Sequence, residues 1–426
     1  MHLTDHEQAM LDGAEGPAIQ QAMSLLTRYG KALGAERLVE TNNVCGGSVG
    51  SLPNRRNVVS SEADMEAIFS LMNLDSDVPL EIPRVKTMAY KLIEAGDPDY
   101  YDQQRVSERT QKLVKKNADF CDRIGIQRCN TCTPYQVGNV PTYGEHLAWM
   151  ESSAIVFANS IIGARGNVEG AQSAAAAMLT ARIPYWGLHI PENRYGTHLV
   201  EVDCEVESMM HWGLLGYYVG EVVQEESPVV SGLQHHPSLR KAKHFGAAAA
   251  TSGGVEMYHL VGMTPEAPTL ERALGGKAPD ETIHFGKAEM RKAYEDLNCA
   301  TDPDVDFIML GCPHASIEQV QIVAKLLEGK KLSPNTELWM FTPKALKQHA
   351  DRMGYSEIIE KAGAYLMSDS CPALSRVSPE GVKIAATDSC KQAHYLPATL
   401  GFDTWFGSVE DCVHAAVTGR WQGELA

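Results

Sequence analysis

Cysteine residues follow three of the strands predicted in the last third of the chain. They are Cys312 in GCPH, Cys371 in SDSCP and Cys390 in TDSCKQAHY. Because the carboxyl ends of parallel strands meet at one edge of a sheet, we expect the three thiols at the same edge. Cys129 and Cys132 in CNTCTPY supply further thiols on a loop. Soft, anionic thiolates that converge from separate loops are typical ligands of an iron–sulfur cluster.

Other interpretations of the cysteines are open at this point. The pair Cys129-x-x-Cys132 is also typical of half a zinc site or of a redox pair. The sequence has no second Cys-x-x-Cys, which disfavours a four-cysteine zinc site, and no closely spaced ferredoxin-type run, which disfavours a dedicated electron carrier. Four cysteines without such loops are interpreted as small buried apolar residues: Cys121, Cys204, Cys299 and Cys412.

Polar residues are concentrated between residues 131 and 170. A helix is predicted from Glu145 to about residue 162, although a merely solvated helix face would show the same pattern. The GARGN motif then combines small residues with Arg165, whose planar fork suits a carboxylate or a phosphate. The polar side chains of this segment are Glu145, His146, Glu151, Ser152, Ser153, Asn159, Arg165, Asn167 and Glu169, of which all but Glu151 and Asn159 are taken as candidate site residues. His314 follows a predicted strand and is a further candidate, with a packed histidine as the alternative.

The elements that must position these residues alternate between strand and helix. Buried strands are predicted over residues 184–190, 305–310, 338–341, 365–367 and 382–385. Helices are predicted over residues 61–72, 102–122 and 171–182, from Pro343, and from Ser316, where Gln319 completes a capping box. This alternation implies βαβ units, a mostly parallel sheet and the α/β fold class.

Composition and charge exclude several classes of function. The chain has 426 residues, and its 37 Lys and Arg against 54 Asp and Glu give a net charge of −17. This excess of negative charge argues against a nucleic-acid-binding or membrane-binding protein. No apolar stretch approaches the ~20 residues of a membrane span, and the N-terminus has no signal core. We therefore expect a cytoplasmic protein, whose ten cysteines are too few for a disulfide framework.

Several long motifs resemble the aconitase X family, the divergent branch of the aconitase superfamily. They are TCTPYQVGNVPTYGEHLAW, ESSAIVFANSIIGARGNVEG, GCPHASIEQ and KQAHY, in that order, and the match runs from about residue 120 to residue 400. The resemblance implies an iron–sulfur dependent hydro-lyase with an aconitase-like α/β fold. It also implies that Cys132, Cys312 and Cys371 are the cluster ligands, with Cys390 ranked fourth.

The resemblance further implies a domain organisation. We expect one aconitase X catalytic region over residues 1–426, which divides into 1–120, 121–290 and 291–426. Single-chain members of the family carry a small swivelling domain after this region, whereas two-subunit members have it as a separate chain. The present chain ends soon after the catalytic region, so we expect a large subunit whose partner is a small swivelling-domain subunit.

The substrate implied by the resemblance is a small hydroxy acid. Family members dehydrate cis-3-hydroxy-L-proline, which we favour here, or mevalonate 5-phosphate. Arg165 and Asn167 would orient a carboxylate or a phosphate, and the proton for the leaving group would come from Glu145, His146 or His314. The remaining substrate contacts are expected from Asn42, Asn43, Ser48, Ser152, Ser153 and Glu169.

The N-terminal loop departs from the family pattern. Members carry a histidine-containing motif there, whereas TNNVCGG at residues 41–47 has no histidine. This departure bears on the substrate more than on the reaction. Two alternatives from other classes are a redox or non-catalytic iron–sulfur protein and a zinc-stabilised assembly subunit.

Overall fold

Four sheets organise the chain in the computed structural model, which describes residues 1–46, 74, 76 and 80–425. Ser48 and the helix predicted over residues 61–72 lie outside the described residues. The strands are β1 (Leu38–Glu40), β2 (Asn43–Gly46), β3 (Met88–Lys91), β4 (Leu147–Trp149), β5 (Arg182–Pro184), β6 (His198–Val202), β7 (Pro228–Ser231), β8 (His259–Leu260), β9 (Glu281–Phe285), β10 (Phe307–Leu310), β11 (Glu337–Phe341), β12 (Tyr365–Met367), β13 (Ile384–Thr387) and β14 (Asp403–Phe406).

Helices cover these sheets. They are α1 (Asp5–Leu11), α2 (Pro17–Ala32), α3 (Glu108–Ile124), α4 (Ser152–Phe157), α5 (Ala171–Thr180), α6 (Met209–Val223), α7 (Leu239–Gly253), α8 (Leu270–Ala273), α9 (Lys287–Leu297), α10 (Ile317–Leu327), α11 (Lys344–Arg352), α12 (Tyr355–Ala362), α13 (Pro372–Ser375), α14 (Cys390–Leu400) and α15 (Val409–Thr418). Within the described part of the chain, every helix is too short or too polar to cross a membrane.

The C-terminal sheet is the one that the sequence predicts best. Its five strands are all parallel and lie in the order β12-β11-β10-β13-β14. Apolar cores on both faces bury it, which explains why its strands are continuous apolar runs without polar alternation. The α/β class and the mostly parallel pairing are confirmed, and the strand predicted over 365–367 has the observed bounds.

The helix after β10 begins as its sequence predicts. Ser316 is the N-cap of α10, its hydroxyl accepts from the Gln319 backbone N–H, and the Gln319 side chain returns to the Ser316 N–H. This reciprocal capping box is confirmed, and it fixes the N-cap of α10 four residues after Cys312. The Cys312 loop therefore stays at the carboxyl edge of the sheet.

Two secondary-structure predictions are wrong. Residues 184–190 do not form a strand: β5 stops at Pro184, and the chain continues into a 3-10 turn, Gly187–His189. The helix predicted from Glu145 begins only at Ser152, because Leu147–Trp149 forms the buried strand β4, which pairs in parallel with β2. Three consecutive buried side chains in a parallel sheet outweigh the helical periodicity of the surrounding sequence.

The first and middle parts of the chain contain smaller parallel sheets. Three strands lie in the order β3-β2-β4, and four lie in the order β8-β7-β6-β9. In the three-stranded sheet, β2 and β4 run in the same direction, so Gly46 and Trp149 end at one edge and His146 precedes the other. This polarity decides which predicted residues lie near the cysteines.

Candidate active site

Three cysteines from distant parts of the chain meet beside the C-terminal sheet. Burial raises the pKa of the Cys132 thiol, and the neighbouring Glu151 and Cys312 raise it further. Burial also raises the pKa of Cys371 to about 12, and Cys312 is again the next contributor. Cys312 thus lies within electrostatic range of both other thiols, as the resemblance implies for a common ligand set.

His314 connects the loops that carry these cysteines. Its Nδ1 lies 2.9 Å from the Thr131 hydroxyl and its Nε2 lies 3.0 Å from the Ser370 carbonyl oxygen, while its backbone N–H donates to Cys132 Sγ over 3.3 Å. The side chain is fully buried. Both ring nitrogens are within hydrogen-bond distance of a partner. Through these contacts His314, on the Cys312 loop, binds Thr131 and Ser370, the residues directly before Cys132 and Cys371.

A buried lysine also holds the Cys312 loop in place through hydrogen bonds. Lys243 on α7 is 2% exposed, and its Nζ donates to the carbonyl oxygens of Pro313 and His314 and to the Gln319 side chain over 3.3, 2.8 and 2.9 Å. Burial lowers its pKa to about 8, while the nearby Cys132 among other groups opposes that shift. Sequence analysis missed Lys243, because one lysine in a helix gives no pattern.

A charged pair, Glu151 and Lys391, also lies near the cysteines. They form an ion pair of 2.6 Å at the ends of β4 and β13, and their side chains keep 15% and 17% of their surface exposed. Both charges act on all three thiols. Burial opposes ionisation of Glu151, but the Lys391 ammonium and hydrogen bonds from Ser153 outweigh it and hold the pKa of Glu151 below its usual range.

The two serines predicted as substrate contacts also lie here. Ser152 is the first residue of α4 and is partly exposed, whereas Ser153 is buried and donates its hydroxyl to Glu151 over 2.9 Å. Lys391 was not a predicted site residue, although it is the first residue of the KQAHY motif. Its position directly after a strand-end cysteine is the signal that could have identified it.

The donor set fits an iron–sulfur cluster. Across residues 1–46, 74, 76 and 80–425, no three His, Cys, Asp or Glu side chains converge closely enough to hold a single metal ion. A cluster contains its own bridging sulfides and takes thiolates from around its periphery, so its ligand sulfurs lie farther apart than those around one ion. Three thiols on separate loops, of which Cys312 is buried and Cys132 and Cys371 are partly exposed, therefore suit a cluster better than a single zinc ion.

The two cysteines that the sequence left open have other neighbours. Cys129 Sγ donates to the Lys91 carbonyl oxygen over 3.3 Å. Cys390 is 3% exposed and packs against α6, where its Sγ would be 2.9 Å from a Cβ added at Gly213. Neither thiol has Cys312 among the charges that act on it. Each is thus accounted for by local packing.

The structure places several predicted residues at the opposite edge of the three-stranded sheet. His146 precedes β4, pairs in register with Arg165, and contacts His189. Glu145 accepts from the Thr142 backbone and hydroxyl on the surface. These residues do not join the cysteines, Glu151 and Lys391, and their catalytic and substrate-binding roles stay predictions.

The remaining predicted contacts are held by the fold. Asn43 Oδ1 accepts from the Trp149 indole over 2.8 Å, and Asn42 is exposed at the same edge as His146. Asn167 is buried, where its side chain bonds the Leu188 N–H and the Trp186 carbonyl oxygen. The hydrogen bonds of Asn167 fix the loop between α4 and α5. The substrate contacts expected of Asn42, Asn43 and Asn167 stay predictions.

Glu169 gives a pH-dependent prediction. It is 2% exposed, and burial raises its pKa to about 7, reinforced by Glu256. An unfolded Glu ionises near pH 4.5, so the folded state binds the extra proton between pH 4.5 and 7 and stability falls as pH rises through that window. We expect Glu169→Gln to remove this fall, which makes the variant more stable by ~3 kcal/mol above pH 7.

Chemical unfolding of both proteins between pH 4.5 and pH 8 measures this effect. The exposed Glu281 provides the control, because Glu281→Gln should leave the pH profile unchanged. Parallel profiles for wild type and Glu169→Gln would show that Glu169 is ionised in the folded protein across the whole range.

Three models of known protein-family domains together match nearly the whole chain. The model described as Aconitase X first domain matches residues 1–192, Aconitase X second domain matches 196–295, and Aconitase X third domain matches 305–418. The subdivision at residues 120 and 290 stays a prediction.

Similar proteins and a similar structure span the same length. A phosphomevalonate dehydratase large subunit of Methanocaldococcus jannaschii is 35% identical over 96% of this chain and 99% of its own. A cis-3-hydroxy-L-proline dehydratase of Pseudomonas aeruginosa is 31% identical over 97% of this chain and 70% of its own. The crystal structure of Thermococcus kodakaraensis aconitase X in its holo-form has a TM-score of 0.83 and 32% identity, and the match covers 98% of this chain and 100% of that one.

Proposed function

Because the chain belongs to the aconitase X family, we propose that it is the catalytic subunit of an iron–sulfur dehydratase that removes water from a small β-hydroxy carboxylic acid. Dehydratases are hydro-lyases, so the chain is a lyase. The observation that carries the proposal is the buried Glu151–Lys391 pair, which lies within electrostatic range of all three cysteines.

Cys132, Cys312 and Cys371 would hold the cluster. Their loops are fixed by His314 and, at Cys312, by Lys243, so the ligands are positioned before any metal is bound. When bound, such a cluster supplies an electrophilic iron that polarises a hydroxyl or a carboxylate oxygen. The positive charge of Lys243 also offsets the negative charge that the thiolates bring into a buried site.

Lys391 and Glu151 would act on the substrate directly. The Lys391 ammonium acts on all three thiols and keeps exposed surface, so it would bind the substrate carboxylate and stabilise the negative charge that develops there when the α proton leaves. Glu151 is kept ionised by Lys391 and is therefore competent to accept that proton. The proton for the leaving hydroxyl would come from His314 or from the partner subunit, since Glu145 and His146 lie at the opposite edge of the three-stranded sheet.

The substrate is proposed from chemistry that two candidates share. Both cis-3-hydroxy-L-proline and mevalonate 5-phosphate carry a carboxylate, an α C–H and a β-hydroxyl, which are the three groups that Lys391, Glu151 and the cluster would address. Relatives with both names match this chain at 31–35% identity. We retain cis-3-hydroxy-L-proline as the first candidate and mevalonate 5-phosphate as the second.

The partner is proposed to be a small subunit that completes the site. Its support is the match over 99% of the length of a relative named as a large subunit. The Glu151–Lys391 pair keeps exposed surface, which a second chain could cover once substrate is bound.

The experiment is an anaerobic dehydration assay with each substrate, with and without the small subunit added. We expect water loss from one of the two substrates only when both chains are present. Full activity of the isolated chain would contradict the two-subunit proposal. An iron–sulfur protein that changes its redox state but turns over neither substrate would favour the electron-transfer alternative.

A further inference from the structure

Two histidines and two arginines form a second polar cluster away from the cysteines. His146 and Arg165 are paired in register in neighbouring parallel segments, so their side chains lie on the same face. His146 Nδ1 lies 3.0 Å from His189 Nδ1, and the Arg37 guanidinium lies over the ring of Tyr185, 4.0 Å from its centroid. We call these residues, Arg37, His146, Arg165 and His189, the arginine–histidine cluster.

The charge of this cluster is positive and unbalanced. Burial lowers the pKa of His146, and after burial the contributors are Arg165, Arg37 and Arg194, all of them cations. Arg194 is already neutralised by Glu266, whose carboxylate is 2.7 Å away. In the described part of the chain, neither Arg37 nor Arg165 has a carboxylate within ion-pair distance.

Several nitrogen atoms of this region are buried without a hydrogen-bond partner among the residues that the structure describes. They are Arg165 Nε, His189 Nε2 and Trp186 Nε1, and His189 is completely buried. Trp186 belongs to the same turn as His189, whose backbone N–H donates to the Trp186 carbonyl oxygen over 3.1 Å. A buried polar group without a partner costs about 1–3 kcal/mol, so this concentration of them indicates a missing ligand.

The cluster is separate from the proposed active site. His146 precedes β4 and Glu151 follows it, five residues further on. At about 3.3 Å for each extended residue, the two positions are roughly 16 Å apart at opposite edges of the sheet. A β-hydroxy acid bound beside the cysteines and Lys391 is too short to reach both.

We propose that the arginine–histidine cluster is a second binding site, which takes a phosphate group. A guanidinium fork binds two phosphate oxygens at once, and the positive charges of two arginines balance the charge of a phosphate dianion. The imidazole and indole nitrogens would bond the remaining oxygens. The source of the phosphate is either free inorganic phosphate or a phosphate ester.

The test is titration calorimetry of the whole chain at constant ionic strength, with inorganic phosphate as one probe and methyl phosphate as the other. We expect wild type to bind at least one of them, and Arg165→Met to weaken binding on the order of tenfold or more. Binding of both identifies a site for phosphate esters, whereas binding of inorganic phosphate alone identifies a site for the free ion.

Two further variants keep the outcome clear. Arg37 is exposed, so Arg37→Met should fold and should also weaken phosphate binding. Arg128 pairs with Asp122 on the surface, so Arg128→Met is the matched control and should bind as wild type does. Equal phosphate affinity in wild type, Arg165→Met and Arg37→Met, or no binding by wild type, would overturn the proposal. Dehydratase activity is not a readout, so this result is independent of the proposed function.

Discussion

Replacing Cys312 with serine is expected to remove iron from the anaerobically prepared protein and to lower dehydratase activity on the order of 10³-fold. The physical reason is that Cys312 lies within electrostatic range of both Cys132 and Cys371. The substitution therefore removes the proposed ligand that neighbours both of the others. The polarisation that a metal supplies is worth several kcal/mol, and 1.36 kcal/mol corresponds to a factor of ten in rate.

Iron and acid-labile sulfide content, visible absorbance and melting temperature should be measured together for this variant. Cys390→Ala is the matched control, because Cys390 also follows a strand of the same sheet but packs against Gly213. We expect this control to retain iron, sulfide and colour. A wild-type protein that contains zinc alone would refute the cluster.

Replacing Lys391 with methionine is expected to lower kcat, also on the order of 10³-fold, while iron remains bound. The substitution removes the ammonium proposed to bind the carboxylate and to stabilise its developing charge. It also leaves Glu151 buried without its counter-charge, and breaking a buried ion pair in this way costs about 3–5 kcal/mol of folding stability. Activity and stability therefore fall together in the single variant.

A double variant separates the two effects. Lys391→Met combined with Glu151→Gln removes both charges, so we expect most of the lost stability to return while activity stays absent. The ion pair between Arg182 and Glu7, whose side chains are 12% and 6% exposed, provides the control. Glu7→Gln should lower stability without a matching loss of kcat in the folded protein. Recovery of activity in the double variant would show that the pair at Lys391 is structural.

The C-terminal sheet could be predicted because its signals are local. Its strands are short apolar runs that are buried on both faces, and the Ser316–Gln319 capping box depends on residues three apart. The proximity of Cys312 and Cys371 then follows from the rule that loops at the carboxyl edge of a parallel sheet meet, whereas the Cys390 thiol packs against α6 instead. Each of these inferences needs only neighbouring residues and the direction of the strands.

The other side of the site could not be predicted in the same way. The helical pattern after Glu145 conceals β4, because β4 is defined by its pairing with β2, more than 100 residues earlier. That one error treats residues 145–162 as a single helix, whereas β4 separates His146 from Glu151 and sets them at opposite edges of the sheet. Lys243 carries no spacing signal, since its partners come from another part of the chain, and the position of Lys391 directly after Cys390 does not reveal its partner Glu151.

The contacts of His314 have a consequence for how the protein matures during synthesis. Cys132 and the His314 backbone that donates to it are 182 residues apart in sequence. At 5–20 residues per second, a ribosome needs about 10–40 s to make the intervening chain, and Cys371 emerges later still. The Cys132 loop therefore lacks the Cys312 and Cys371 loops while the middle of the chain is synthesised and folds. Loading of the proposed cluster would therefore follow translation of the last third, and until then the Cys132 thiol lacks Cys312 and Cys371 beside it.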